Sequence, residues 1–422
     1  MFNFVENWPT STTTLTDVLL SPARPPSVYI HIFMAPSRLA LAVGCVVATL
    51  SATVAIYYGL TELKPAQKRK RLRKKLPQTI YTWRRPDLVQ LKEEDLWNSL
   101  TDVLCNAGLT PWIYTYLSYL LSPSKYILSG GFAYATATRT SDVPDDPGSL
   151  EELSVFQYQN TLSRMAQTAD GLAVVVRVIA VRNEGHEHLA LLRKIAAGPL
   201  SLTSSNHCLP MFREISFEDV VFGVFPKTGG CMDEAFGAWA ENSVGDVLDM
   251  ILQTLEGLIF LHDLNIAHRD MFLSNILIQW HPESLRTMTV PISRPRVYII
   301  DFEFAVEFPP DCPAEDRVSV GYPLCKWYPS TGYSRPAPPE VECGKPYCPF
   351  KLDVWQLGVV FTDWSFATTI PAIDEVLEDM KLSDPAMRLS ANEALKRLSE
   401  LVNNMSPASL MIPPHFKFPG DP

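Results

Sequence analysis

The residues of this chain best suited to chemistry are Asp270, Asn275 and Asp301. Asp270 closes the run His268-Arg269-Asp270, and Asn275 follows five residues later. Asp301 ends a β-rich run, Val297-Tyr298-Ile299-Ile300, and is followed by Phe302 and Glu303. A carboxylate in a loop can meet a hydroxyl, and an amide oxygen one short loop later can reach a divalent cation held on phosphates. In isolation an Asp or Asn in a loop is a turn former, so the weight rests on the surrounding elements.

Those elements are legible. Between residues 244 and 262, Val247, Leu248, Ile251, Leu252, Leu255, Leu258 and Ile259 recur at helical spacing, which predicts an amphipathic helix that delivers the chain to His268. Ile276-Leu277-Ile278 reads as a strand after the loop, and residues 279–296, with three prolines, as an insertion before the next strand. Further on stand Ala337-Pro338-Pro339-Glu340, then Asp353-Val354-Trp355-Gln356-Leu357-Gly358, then Asp384-Pro385-Ala386-Met387-Arg388.

Five landmarks in this order over about 120 residues resemble the protein kinase family. The resemblance implies an α+β, two-lobed fold with a β-rich small lobe over 150–227 and a mostly helical large lobe over 228–405. It implies Asp270 as catalytic base, Arg269 as organiser of the activation segment, and Asn275 and Asp301 as magnesium ligands. Glu340 would pair with Arg388, and Asp353 would accept hydrogen bonds from the catalytic-loop backbone. ATP and Mg are the implied cofactors and a protein hydroxyl the implied acceptor, with Ser or Thr expected ahead of Tyr.

The small lobe departs from the family. Arg177, in the β-rich run Leu172–Ile179 after the hairpin signal Asp170-Gly171, stands where a phosphate-holding Lys is usual, and its planar fork is not equivalent to an ammonium. Glu187 is the candidate acidic partner on the following helix, with His188 the alternative by register. Val224 and Phe225 open the expected hinge, whose backbone would hold adenine. Residues 156–169, where the Gly-rich loop is expected, contain no glycine. Phe272 and Ser274 occupy the positions where Ser/Thr kinases carry a Lys and tyrosine kinases an Arg, so the loop gives no acceptor signature. Glu303 replaces a glycine. With Arg177 and Glu303 the chain looks like the divergent kinase-like proteins of mushroom-type fungi. These departures keep open a second reading, a pseudokinase acting as an interaction module.

Composition bounds the rest. Of 422 residues 47% are hydrophobic and 19% charged, which describes a globular chain with an ample core. The formal charge of −10 conceals a basic cluster, Lys64, Lys68, Arg69, Lys70, Arg71, Arg73, Lys74 and Lys75, so the remaining body is more acidic still and argues against a nucleic-acid partner. Eight cysteines without close pairing read as reduced thiols.

Residues 1–38 are Ser/Thr/Pro-rich and expected to be disordered. Residues 39–60 carry no charge and are long enough to cross a bilayer. The basic cluster behind them, in a linker over 61–79, would stay cytoplasmic and meet anionic lipid, giving a single-pass membrane protein with its kinase-like domain in the cytoplasm. Residues 80–149 read as an ordered lead-in and 406–422 as a tail.

Overall fold

A computed structural model of the chain describes residues 49–51, 65–114, 119–121, 155–157, 160–228, 230–232, 242–279, 295–324, 333–362 and 366–415. The chain divides into one unit over 1–67 and another over 68–422. The expected membrane span at 39–60 lies outside the described residues except for 49–51, which are helical. Among the described residues no helix is long and apolar enough to cross a membrane. The expected disordered segment 1–38 also lies outside them.

Much of the stretch read as a basic linker is helix α1, over 65–75. Several of its charges are engaged by the body: Arg73 is buried and pairs with Asp219, Arg69 lies 3.0 Å from Glu218, and Lys68 lies 2.9 Å from Asp102. Three short helices follow, α2 (Ile80–Arg84), α3 (Glu93–Asn98) and α4 (Thr101–Asn106). Thr79 begins α2 with a reciprocal cap, its side chain accepting from Thr82 N while Thr82 Oγ1 accepts from Thr79 N.

The chain then enters strand β1 (Leu109–Pro111), followed by β2 (Ile113–Tyr114), β3 (Tyr119–Leu121) and β4 (Val155–Gln157), which form a small separate sheet. The hairpin β5 (Ser163–Thr168) and β6 (Ala173–Val181) turns through Asp170-Gly171, where Gly171 takes φ 91° and its N–H bonds to Thr168 O. Helix α5 (His186–Ile195) leads to β7 (Arg213–Phe217) and β8 (Val220–Pro226). The main sheet runs β1-β5-β6-β8-β7, antiparallel throughout.

The first strand of this sheet comes from the lead-in. The connection between the first two strands is therefore 112–162, mostly outside the described residues, and the glycine-free segment 156–169 contains the second strand, Ser163–Thr168. The lead-in helices cover one sheet face: Leu76, Ile80, Trp83, Leu96, Trp97, Leu100 and Leu104 are buried with Val174, Val176, Phe222 and Val224. Trp83, Trp97 and Phe222 meet pairwise at 6.1 Å between ring centroids. Burying three large aromatics contributes several kcal/mol, so these helices are structural parts of the small lobe.

The large lobe is built on α6 (Val244–Asp263), begun by a reciprocal cap between Ser243 and Asp246 and ended by Asn265 at φ 59°. It delivers the chain to β9 (Ile266–Ala267) and the catalytic loop, then β10 (Ile276–Gln279) and β11 (Arg296–Ile299) pair antiparallel. Strand β12 (Val306–Glu307) returns to β9. Beyond it β13 (Ser319–Val320), α7 (Pro339–Glu342), β14 (Pro346–Tyr347), α8 (Pro349–Thr362), α9 (Pro371–Met380) and α10 (Ala391–Asn403) complete the lobe. Gly358 lets α8 approach α9 closely, since a Cβ there would sit 2.9 Å from Lys381 N.

Arg388 is fully buried and holds this lobe together. Its Nη1 donates to Glu340 Oε1 at 2.7 Å and to Lys351 O at 3.0 Å, and its Nε to Leu382 O at 2.9 Å. Removing the guanidinium strands a carboxylate and two carbonyls in a low-dielectric setting. Arg388→Ala is expected to lower stability by about 3 kcal/mol or more, read as a lower denaturant midpoint of the large lobe. A change below about 1 kcal/mol would mean that the pair is replaceable by water.

Candidate active site

The large-lobe half of the site is set by a buried carboxylate. Asp353, on α8 and fully buried, accepts from His268 N at 2.9 Å and Arg269 N at 2.5 Å, and lies 3.0 Å from His262 Nε2. Gln356, one turn on, accepts from Met271 N at 2.9 Å and donates to Arg269 O at 3.0 Å. Four polar contacts on the loop backbone hold Arg269 at φ 68°, a left-handed conformation that costs a non-glycine residue on the order of 1 kcal/mol. Asp301 sits at φ 67°, the second such residue at the site. His268 packs edge-on against Phe302, centroids 4.9 Å apart, and its Nε2 lies 2.9 Å from Ile300 O.

Held this way, Asp270 and Asn275 face each other. Asn275 Nδ2 donates to Asp270 O at 2.9 Å and to Asp270 Oδ2 at 2.7 Å. Asp270 Oδ1 is buried and has no hydrogen-bond partner among the described residues. Burial pushes the Asp270 carboxyl above its ordinary range, against the opposing pull of Arg335 and His268. Arg335, absent from the sequence expectations, stacks over the Phe272 ring at 4.7 Å, donates to Ser274 Oγ at 2.9 Å, and brings Nε to 3.7 Å from Asp270 Oδ1.

The small-lobe half is a charge network. Arg177 Nη2 donates to Asp301 Oδ1 at 2.9 Å and to Glu303 Oε1 at 2.6 Å, so the sequence-expected cation does reach the expected metal ligand. Glu303 also pairs with Arg84 of α2. Burial by itself would raise the Glu303 carboxyl, but Arg177 and Arg84 hold it well below the ordinary carboxylate range. The helix partner differs from expectation. Glu187 lies on the exposed face of α5 and His188 on the buried face, which places His188 beside Glu303 and Arg177. Glu303 supplies the acidic group expected of Glu187, because the helical register turns position 188 inward.

The hinge also starts later than expected. Val224 and Phe225 lie inside β8, where Val224 O accepts from Phe212 N at 2.8 Å and both residues pair with β6. Their backbone groups are spent on the sheet, Pro226 has no N–H, and the connector begins at Lys227. Arg269, expected to organise the activation segment, hydrogen-bonds the Tyr347 side chain, and Tyr347 Oη donates to Gly321 O at 3.0 Å. Of the groups missed in the sequence, Arg84 had no signal beyond a basic residue ending a short helix. Arg335 had an indirect one: Phe272 and Ser274 leave the loop short of a cation.

Residues 232–406 match the protein kinase domain family. The chain is similar to the serine/threonine-protein kinase ppk8 of Schizosaccharomyces pombe, 34% identical over 112 residues, 26% of this chain and 18% of that protein. It is also similar to testis-specific serine/threonine-protein kinase 4 of Homo sapiens, 26% identical over 201 residues, 46% of this chain and 56% of that protein. The chain thus spans about half or less of the length of these relatives. Both are serine/threonine-protein kinases by name, and together with the domain match they support a protein kinase domain over residues 232–406.

His188 makes the network sensitive to pH. Burial lowers its pKa to about 4, with Glu303 opposing and Arg177 reinforcing, so the folded imidazole is neutral near pH 7. In the unfolded chain it takes a proton near pH 6.5. Between those values the unfolded state binds more protons, so stability falls as pH drops from about 6.5 to about 4, by about 3 kcal/mol from this residue. His188→Gln is expected to flatten that limb of a stability-versus-pH profile. An unchanged slope would show that His188 is not the group that titrates.

Proposed function

We propose that this chain transfers the γ-phosphoryl group of ATP to a protein hydroxyl, with Ser or Thr as acceptor. The observation that carries the proposal is the Asp270–Asn275 geometry: one carboxylate oxygen is tied down by the amide, and the other is buried and hydrogen-bonded to none of the described residues, which leaves its lone pairs for a hydroxyl. Asp270 Oδ1 accepts the hydroxyl proton as the oxygen attacks phosphorus, and a carboxyl pushed up by burial is the better base.

The donor set suits magnesium. Asn275 binds Asp270 through its amide nitrogen, which leaves the amide oxygen, and the Arg177 bond to Asp301 uses Oδ1, which leaves Oδ2. Among the described residues no group of three or more His, Cys, Asp or Glu could hold a metal, so protein oxygens from Asn275 and Asp301 would share the ion with the phosphates, as magnesium commonly requires. When bound, it supplies positive charge to the β- and γ-phosphate oxygens. Arg177, 16% exposed in its side chain, stands beside Asp301.

One observation favours the second reading, an interaction module without turnover. Arg177 is bonded directly to Asp301 and Glu303, and that ion pair competes with phosphate for the guanidinium. The proposal also keeps the domain at a membrane, on the cytoplasmic side, through the 22 uncharged residues of 39–60. Lys70, Arg71, Lys74 and Lys75, exposed on α1, are the cations left for anionic lipid.

Thermal unfolding of the full chain with and without millimolar Mg-ATP separates the two functional readings. A stabilisation of about 2 kcal/mol or more, abolished by Asp301→Asn, is the expected result. No stabilisation would favour the interaction module. Asp270→Asn is expected to cut phosphotransfer to a protein substrate by about a hundredfold or more while leaving that nucleotide stabilisation intact. Undiminished transfer would remove Asp270 from the role of base.

A further inference from the structure

Between Asp270 and Asn275 the catalytic loop carries no cation. Phe272 and Ser274 fill the two positions where the resemblance leads one to expect a Lys or an Arg. In the folded chain both substitutes turn to one residue, Arg335, 61 positions downstream of Ser274. The Phe272 ring carries the guanidinium on its face at 4.7 Å, and Ser274 Oγ accepts from Nη2 at 2.9 Å. The result is a cation whose Nε stands 3.7 Å from Asp270 Oδ1. That separation is an ion pair without a hydrogen bond, so Oδ1 keeps its lone pairs for a hydroxyl. The Arg335 side chain is 35% exposed, so solvent and ligand reach it, in contrast to the buried Arg388 further along the same lobe.

We infer that Arg335 is the phosphate-contacting cation of this site, delivered from the activation segment instead of the catalytic loop. The inference rests on the phosphotransfer reading above. In the transfer step a bond forms between the acceptor oxygen and Pγ, the bond from Pγ to the bridging oxygen breaks, and the electron pair leaves on ADP. The acceptor proton passes to Asp270 Oδ1. A carboxylate and a phosphoryl group approach each other during this step, and their mutual repulsion is highest where Arg335 sits. A guanidinium held on an aromatic face by one hydrogen bond has other donors left for phosphoryl oxygens, and it is in place before the reaction begins. Phe272 and Ser274 thus become the support of an arginine, which accounts for both departures from the family pattern at once.

The test compares affinities of the full chain for Mg-ATP and Mg-ADP, with phosphotransfer measured alongside, in the wild type, Arg335→Ala, Arg335→Gln and the double variant Arg335→Ala with Phe272→Lys. A cation on the γ-phosphate predicts that Arg335→Ala weakens Mg-ATP about tenfold and leaves Mg-ADP unchanged, with transfer reduced about a hundredfold or more. Arg335→Gln keeps a donor for Ser274 without the charge; it is expected to show the same loss and stands in for the alanine variant if that one unfolds. The lysine at 272 is expected to restore most of the preference for ATP, which a purely structural arginine would not allow. A wild type that binds neither nucleotide overturns the phosphotransfer reading and this inference together. A wild type that binds both, with the ATP preference unaltered in Arg335→Gln, overturns this inference alone.

Discussion

The Glu303 carboxylate is the point on which the two halves of the site depend. It is 8% exposed in its side chain and lies between two guanidiniums, Arg177 from the central strand of the small lobe and Arg84 from the lead-in. A carboxylate taken this far out of water is costly unless it is paired, and here it is paired twice. Because Arg177 also binds Asp301, one buried charge fixes the lead-in helix, the sheet and the large-lobe motif against one another. Releasing any member leaves an uncompensated charge, so the network behaves as a unit whose parts are not additive.

On the large-lobe side the corresponding constraint is Asp353. Its carboxylate, with Gln356 one turn later, satisfies the backbone N–H groups of His268, Arg269 and Met271. These bonds offset the strain of the left-handed Arg269 and orient Asp270 and Asn275 before any ligand arrives. The rigid scaffold under the loop is α8, packed closely enough on α9 that Gly358 has no room for a side chain. Catalytic-loop geometry therefore descends from helix packing remote from the substrate position, as preorganisation requires.

How much of this was legible in the sequence follows from the range of the interactions. The large lobe was readable because its landmarks are local: a loop motif after an amphipathic helix, a strand ending in Asp301, a buried Glu340–Arg388 pair. The small lobe was harder. Its first strand comes from residues read as a lead-in, since a three-residue strand leaves no period to detect. The choice between Glu187 and His188 turned on helix register, and only packing decides which face points inward. Val224 and Phe225 were misassigned to the hinge because a strand and the connector after it carry the same apolar residues, while the sheet's hydrogen bonds separate them. Arg84 and Arg335 act across 219 and 61 positions, separations at which a single sequence offers no pattern.

Two departures that look like damage when taken singly form one exchange when taken together. A lysine at position 177 would bring a compact ammonium, suited to one carboxylate from a neighbouring helix. Arginine brings a longer, planar fork, and its Nη2 reaches both Asp301 and Glu303. The acidic partner has moved from the helix to the position after Phe302, and the vacated helix position holds a neutral imidazole, which adds no charge to the cluster. In this chain the negative charges that meet Arg177 come from Asp301 and Glu303, on one short segment. Arg335 repeats the logic in the large lobe, where a missing loop cation is replaced by one from a distant segment. Both networks set a guanidinium beside a carboxylate of the site, Arg177 at Asp301 and Arg335 at Asp270, so each half carries its own fixed positive charge before any ligand arrives.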